Sequence, residues 1–145
     1  MESAKWVGRA SIDIPAATAE ETWSVTGDFC AAHVWMQLDA CRKVEGQESE
    51  PGCIRFCSSG LNWAKERLVE FDPVGRSYKY EVMENNMGFG QYLATFMVLS
   101  AEKGCRIEWS FEADPVENWT LDGLVSYLQA NLEALRRKIS LPENN

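Results

Sequence analysis

Arg55 and Glu66 are the residues of this sequence whose types and spacing could do chemistry together. The segment 53–69 reads as two strands that meet at Gly60-Leu61, and a Gly-X pair at the centre of a tight hairpin is typical of a type II′ turn. Counting outward from that turn places Arg55 directly opposite Glu66. A guanidinium that faces a carboxylate inside a sheet indicates catalysis or recognition. An exposed cross-strand salt bridge is the alternative.

The same reasoning extends this face onto the next strand. A three-residue connection at 73–75, with its glycine in the left-handed conformation, would pair Asp72 with Arg76. Counting inward then pairs Leu68 with Tyr80, which brings this tyrosine onto the face that holds the arginine and the glutamate. Because side chains alternate with a period of two, each pairing fixes which residues share a face.

A turn around Asn86 would next pair Tyr80 with Tyr92. A slip of two residues in this pairing would keep the same face. The face is mostly apolar, yet it includes a guanidinium, a carboxylate and several phenols; its members are Cys53, Arg55, Cys57, Ala64, Glu66, Leu68, Tyr78, Tyr80, Tyr92, Ala94 and Phe96. Such a mixture predicts the wall of a ligand cavity.

The elements that would position this face follow from the periodicity of the chain. Residues 5–14 alternate like a strand, and Thr18 and Glu21 have the spacing of a capping box that opens a short helix. A second short helix is predicted over residues 28–36. Strand-like runs separated by turn signals then begin at Ala40, and we count six of them.

The final segment changes to the period of a helix. Apolar residues recur every three or four positions from Leu121 to Ile139, which predicts an amphipathic helix of about twenty residues. The sequence therefore predicts an α+β fold, in which a curved seven-stranded antiparallel sheet surrounds a long C-terminal helix and two short helices follow the first strand. We expect a single domain over residues 1–145, with a loose tail at 141–145.

The charge balance limits the possible partners. A net charge of −8, from 22 acidic and 14 basic residues, argues against nucleic acid and against anionic membrane surfaces. The first residues lack the apolar segment of a signal peptide, and no apolar run approaches the length of a transmembrane helix. We therefore expect a soluble, cytoplasmic protein.

The cysteines and the histidine exclude two further classes of site. The five cysteines lack the spacing of a metal site, so we expect buried free thiols and no bound metal. The chain has a single histidine, His33, and one histidine without a suitable partner does not build a Ser/His/Asp or Cys/His catalytic set. We expect His33 to be structural or to lie on the surface.

A series of short motifs, in order over residues 5–111, resembles the lachrymatory factor synthases. These belong to the plant START-like, birch-pollen-allergen-like (polyketide cyclase/dehydrase and lipid transport) superfamily of helix-grip proteins. The motifs are Lys5-Trp6-x-Gly8, Ala19–Trp23, Asp28-Phe29, Val44–Gly46, Gly52–Arg55, Trp63–Val69, Ser77–Tyr80, Tyr92-x-Ala94-Thr95 and Trp109–Phe111. The resemblance implies a helix-grip fold and a reaction that needs neither a metal nor an organic cofactor.

The resemblance also implies a catalytic set of Arg55, Glu66 and Tyr92. The reaction of that family rearranges an alkenyl sulfenic acid into a thial S-oxide. Arg55 would hold the sulfenate oxygen, Glu66 would carry the proton from oxygen to carbon, and Tyr92 would orient the oxygen or relay the proton. The substrate-binding residues that we expect around them are Tyr80, Trp63, Phe96, Trp109 and Leu128. The implied partner is a small hydrophobic or reactive organosulfur molecule.

Other functions of the same fold stay open. The hairpin at 59–62 is shorter than in the lachrymatory factor synthases, and the stretch 33–38 is one residue shorter and lacks a proline. Both departures leave the natural substrate undefined. A non-enzymatic carrier of hydrophobic small molecules needs only the cavity, and a cyclase of a plant specialised metabolite is a further alternative by analogy. A hormone receptor is disfavoured, because no proline follows Gly60-Leu61.

Overall fold

The computed structural model describes residues 4–140. Its strands are β1 (Trp6–Ile14), β2 (Ala40–Glu45), β3 (Ile54–Ser59), β4 (Asn62–Asp72), β5 (Ser77–Asn85), β6 (Tyr92–Ser100) and β7 (Cys105–Ala113). Its helices are α1 (Ala19–Thr26), a 3₁₀ helix (Phe29–Val34) and α2 (Leu121–Ser140). The predicted loose tail at 141–145 lies outside the described residues.

Within residues 4–140 the seven strands form one sheet, in the order β1-β7-β6-β5-β4-β3-β2. Every neighbouring pair is antiparallel. The sheet curves around α2, whose buried leucines complete the core from the concave side: Leu124, Leu128, Leu132 and Leu135. This confirms the predicted α+β helix-grip architecture. No helix in the described part of the chain combines the length and the apolar character that crossing a bilayer requires.

The two short helices after β1 have clear local causes. Thr18 and Glu21 form the predicted capping box: the Thr18 hydroxyl accepts from the Glu21 backbone N–H, and the Glu21 carboxylate accepts from the Thr18 N–H. The second helix is a 3₁₀ helix, shorter than the predicted 28–36. Asp28 caps its start by accepting a hydrogen bond from the backbone of Cys30, and non-helical dihedral angles at Ala31 interrupt it.

The β3–β4 hairpin has the predicted register. Ser59 pairs with Asn62, and Arg55 pairs with Glu66. Gly60 has a φ of +59°, as the first central position of a type II′ turn requires. The four residues that form this turn are contiguous in sequence, so local chemistry alone fixes which side chains face one another further along the strands.

The β4–β5 connection differs from the prediction. Asp72 pairs with Ser77, not with Arg76, and the left-handed residue of the connection is Arg76, with a φ of +55°. A bulge at Val69 takes up the extra residue, because the register shifts by one between Leu68 and Glu70. Beyond the bulge the predicted register returns over residues 66–68, and it shifts again between Lys65 and Glu66.

Leu68 pairs with Tyr80, as predicted, and Glu66 pairs with Val82. The next pairing was wrong by two residues: Tyr80 lies opposite Ala94, not opposite Tyr92. Residues 86–91, between β5 and β6, form an irregular connection and not a tight turn, so no local turn chemistry fixes the register there. A shift of two keeps every side chain on its face, and both tyrosines remain on the concave side.

Gly104, between β6 and β7, packs tightly against the end of β1. Its φ is +72°, and an added Cβ would lie 2.1 Å from the carbonyl oxygen of Ile14. We expect Gly104→Ala to lower the free energy of unfolding by about 3 kcal/mol, since left-handed strain and a clash with rigid backbone add together. Gly60→Ala is the matched control, because Gly60 also has a positive φ but open space around it. Urea denaturation of both variants checks this, and equal losses would contradict the role of the clash.

Candidate functional site

Arg55 is a buried cation with an unusually complete set of partners. Its side chain is 2% exposed. Nε donates to Oε1 of Glu66 at 2.8 Å, and Nη2 lies 2.8 Å from the same oxygen. Nη1 donates to the backbone carbonyl of Phe29 at 2.7 Å. These contacts attach the guanidinium to the neighbouring strand and to the 3₁₀ helix, and so fix its orientation.

Two aromatic rings enclose the same guanidinium. Its central carbon lies 3.9 Å from the centroid of the Phe29 ring and 4.8 Å from that of Tyr80, within the range of cation–π attraction. Burial by itself lowers the pKa of Arg55, but the carboxylate of Glu66 raises it, and the net direction is well upward. The group is therefore a permanent positive charge inside an apolar environment.

Glu66 is less buried than its partner and borders the cavity. Its side chain is 15% exposed, and Oε1 is the oxygen that faces Arg55. Within residues 4–140, Oε2 has no hydrogen-bond partner. One carboxylate oxygen thus anchors the side chain, and the other is available to a ligand in the cavity.

Two phenols stand on the same wall and differ in their contacts. The hydroxyl of Tyr80 accepts a hydrogen bond from Nε1 of Trp109 at 3.1 Å. The ring of Tyr92 stacks on Phe111, with centroids 5.4 Å apart, and its hydroxyl has no partner within residues 4–140. Burial raises the pKa of Tyr92 above its ordinary value. The phenol therefore keeps its proton at neutral pH and remains a hydrogen-bond donor.

These groups line a cavity of about 160 Å³ between the sheet and α2. Its volume is close to the roughly 150 Å³ of an engineered apolar cavity that binds benzene. Pockets for drug-sized ligands have about 300–1,000 Å³. The dimensions therefore favour a ligand of only a few non-hydrogen atoms.

The structure brings most of the expected site residues to this cavity. Arg55, Glu66, Tyr92, Tyr80, Trp63, Trp109 and Leu128 all line it. Phe96 does not: it is fully buried behind the wall, stacked on Tyr78 with centroids 5.2 Å apart and packed against Trp35 and Trp109. Its position on the correct face of β6 was predicted, but Phe96 is too far along that strand to border the cavity.

Sequence reasoning missed the residues that come from loops. Met36, Leu38, Met87, Phe89 and Trp119 border the cavity from connections between elements. Loops have no period that would assign their side chains to a face. One feature of the sequence could have pointed to these loops: Asn131 is a polar residue on the buried face of α2. It accepts a hydrogen bond from the backbone of Gln37 at 2.9 Å, which holds the 35–39 segment against the helix.

The described residues contain no cluster of three or more His, Cys, Asp or Glu that could hold a metal ion. The chemistry available on the cavity wall is thus a fixed cation, a carboxylate with one unpaired oxygen and a neutral phenol. This set can bind a small polar group and move a proton within an otherwise apolar space.

The fold and family of this chain are recognisable from known proteins. A family model described as polyketide cyclase / dehydrase and lipid transport matches residues 5–140. The ginseng major latex-like protein 151 from Panax ginseng has a similar structure, with a TM-score of 0.77 at 16% identity over 97% of this chain and 100% of the other. An uncharacterised protein from Bacillus thuringiensis matches with a TM-score of 0.77 at 22% identity, over 94% and 98% of the two chains. At these identities, the solved structures bear on the fold alone.

The burial of Arg55 leads to a prediction about stability. We expect Arg55→Ala to lower the free energy of unfolding by about 3 kcal/mol, because it leaves the Glu66 carboxylate without its counterion and opens a void. Arg67→Ala is the matched control, since Arg67 pairs with Glu81 on the opposite, exposed face. There we expect a loss of about 1 kcal/mol or less.

Urea denaturation of both variants measures the difference. Similar small losses for the two arginines would contradict the account of Arg55 as a buried charge that depends on its ion pair with Glu66.

Proposed function

Since this chain belongs to the polyketide cyclase / dehydrase and lipid transport family, we propose that it is a cofactor-free isomerase of a small substrate. The reaction that we propose, as the resemblance to the lachrymatory factor synthases suggests, is the rearrangement of an alkenyl sulfenic acid into a thial S-oxide. Arg55, Glu66 and Tyr92 are the proposed catalytic residues.

The Arg55–Glu66 pair is the observation that carries this proposal. A buried ion pair is weak evidence for stability, because the loss of hydration offsets much of the attraction between the charges. A carrier of hydrophobic molecules would be served as well by apolar residues at both positions. Retaining a guanidinium and a half-free carboxylate on the wall of a small apolar cavity is therefore better explained by chemistry on a ligand.

The size of the cavity supports a small substrate. About 160 Å³ accommodates a molecule with roughly the bulk of benzene, and 1-propenyl sulfenic acid is of similar bulk. A polyketide chain or a multi-ring precursor would need the pocket volumes of several hundred Å³ that larger ligands occupy. The cyclase alternative is accordingly less favoured than isomerisation.

The proposed mechanism is a proton transfer within one substrate molecule. Oε2 of Glu66 takes the proton from the S–OH group and delivers it to the carbon of the double bond that is farther from sulfur. The π electrons of the C=C bond form the new C–H bond, a lone pair of the deprotonated sulfenate group forms the C=S bond, and the oxygen stays on sulfur as the S-oxide. Atoms and charge balance, and Glu66 returns to its starting state.

Arg55 and Tyr92 would stabilise the oxygen during this transfer. Arg55 has five N–H bonds, of which those toward Glu66 and Phe29 are engaged, and the remaining ones can bind the negative oxygen. Tyr92 adds a neutral donor, since its raised pKa keeps the phenol protonated. The apolar walls would exclude water, which protects a sulfenic acid that would otherwise condense with itself.

A non-enzymatic carrier remains the second candidate. The apolar walls favour it: Ala64, Val82, Leu124 and Leu128 line the cavity together with several aromatic rings. A carrier predicts that a small apolar ligand binds equally well to the wild type and to a variant without the charged pair. An isomerase predicts turnover that depends on Glu66.

The discriminating experiment generates 1-propenyl sulfenic acid in situ and detects the thial S-oxide. We expect activity in the wild type and a loss of about 10²–10⁴-fold in Glu66→Gln, the usual contribution of a general acid–base group. Tyr92→Phe should cause a smaller loss. Glu81→Gln is the matched control, because Glu81 forms its ion pair on the outer face of the sheet, and it should retain wild-type activity.

Two outcomes would contradict the proposal. A folded wild type that yields no product from the sulfenic acid would exclude this substrate and favour the carrier. Full activity in Glu66→Gln would exclude the proposed proton transfer, whatever the activity of the other variants.

A further inference from the structure

Two cysteines at the edge of the sheet lie in unusually close contact. Cys41 on β2 and Cys57 on β3 are directly paired in the register. The thiol of Cys57 donates a hydrogen bond to the sulfur of Cys41 at 3.2 Å. Opposed residues on antiparallel strands have Cα atoms about 4.5–5.5 Å apart, within the range of about 4.4–6.8 Å that a disulfide spans. We call these two residues the cavity pair.

One member of the cavity pair borders the cavity. Cys57 lines it beside Met36 and Leu38, and the sulfur of Cys41 lies directly behind, 3.2 Å from that of Cys57. Within residues 4–140, β2 is at the edge of the sheet and pairs only with β3, so it can move by the roughly 1.2 Å that separates the 3.2 Å contact from a disulfide bond of about 2.05 Å. Neither geometry nor strand pairing stands in the way of a covalent link.

The electrostatic surroundings favour a thiolate within the pair. Arg55 lies two residues before Cys57 on β3 and so on the same face. The hydrogen bond from Cys57, together with the positive charge of Arg55, lowers the pKa of Cys41 to about 6, although burial opposes this. The thiolate is the form of cysteine that reacts with oxidants.

A second close pair serves as an internal comparison. The sulfurs of Cys30 and Cys53 are 3.3 Å apart, and we call them the core pair. Cys53 is fully buried, and neither residue borders the cavity. Burial raises the pKa of Cys30. The core pair thus has the proximity of the cavity pair but no member on the cavity wall and no thiolate.

We propose that Cys41 and Cys57 form a redox-active dithiol on the cavity wall, which a hydroperoxide oxidises to a disulfide. The Cys41 thiolate attacks the peroxide oxygen and becomes a sulfenic acid, and the cleaved O–O bond releases hydroxide or alkoxide. The sulfur of Cys57 then attacks the Cys41 sulfur, and water leaves. In sum, two thiols and one hydroperoxide give one disulfide, one water and one alcohol or second water.

The Cys41–Cys57 disulfide would change the contacts around Arg55 as well as those of β2. When Cys41 is protonated, its thiol donates to the Phe29 carbonyl at 3.9 Å, and the same carbonyl accepts from Arg55. Oxidation removes the first of these donors and ties β2 covalently to the strand that holds Arg55. This inference does not depend on the proposed isomerase activity, because it rests on the geometry of the thiols and their surroundings.

The test treats the reduced full-length protein with hydrogen peroxide, blocks the remaining thiols with an alkylating reagent under denaturing conditions, and maps the peptides by mass spectrometry. We expect a Cys41–Cys57 cross-link, lighter by two hydrogens, to form at least about tenfold faster than any link between Cys30 and Cys53. Cys57→Ser should stop the reaction at a Cys41 sulfenic acid, which dimedone captures.

The wild-type measurement decides the matter even where a serine variant does not fold. Equal oxidation rates for the cavity pair and the core pair would overturn the proposal, because access and charge would then have no effect. The proposal would also be overturned if Cys41 and Cys57 were still fully alkylated after the peroxide treatment, because no disulfide would then have formed between them. The Cys30→Ala variant controls for exchange between the pairs, and it should leave the cross-link unchanged.

Discussion

A guanidinium buried between two aromatic rings is the constraint on which the rest of the site depends. Such a charge is tolerated only with a close counterion and with its donors engaged, and Glu66 and the Phe29 carbonyl meet both requirements. The 3₁₀ helix must therefore sit where its carbonyl reaches Arg55. Glu66, held through one oxygen, presents the other to the cavity. The position of the Glu66 carboxylate thus follows from the pairing that the buried arginine requires.

Local features of the fold are enough to position the Arg55–Glu66 pair. A two-residue turn sets the Arg55–Glu66 pairing, and the curvature of the sheet around α2 leaves a small apolar space in front of the pair. The buried Asn131 ties the 35–39 segment to α2 and so fixes one side of that space. The result is a site that is rigid where charges meet and mostly apolar elsewhere, which suits chemistry on a small reactive molecule.

The sequence was informative wherever local chemistry determines geometry. The turn at Gly60 predicted the Arg55–Glu66 pairing, and the capping box predicted the start of α1. The spacing of the leucines predicted α2. Prediction failed where a distant effect decides: the bulge at Val69 compensates a four-residue connection, and the irregular 86–91 segment leaves the Tyr80–Tyr92 register free to shift by two. The loop residues of the cavity wall were missed for the same reason, since only tertiary packing places them.

The most direct test of the central claim is turnover of 1-propenyl sulfenic acid by the double variant Arg55→Met, Glu66→Leu. Replacing a buried ion pair by apolar residues of similar volume is often neutral or stabilising, so this variant should fold with a free energy of unfolding no lower than that of the wild type by more than about 1 kcal/mol. The account predicts that the folded double variant yields no thial S-oxide above the uncatalysed rate. Turnover at the wild-type rate would contradict it, because the charged pair would then not be the catalytic group.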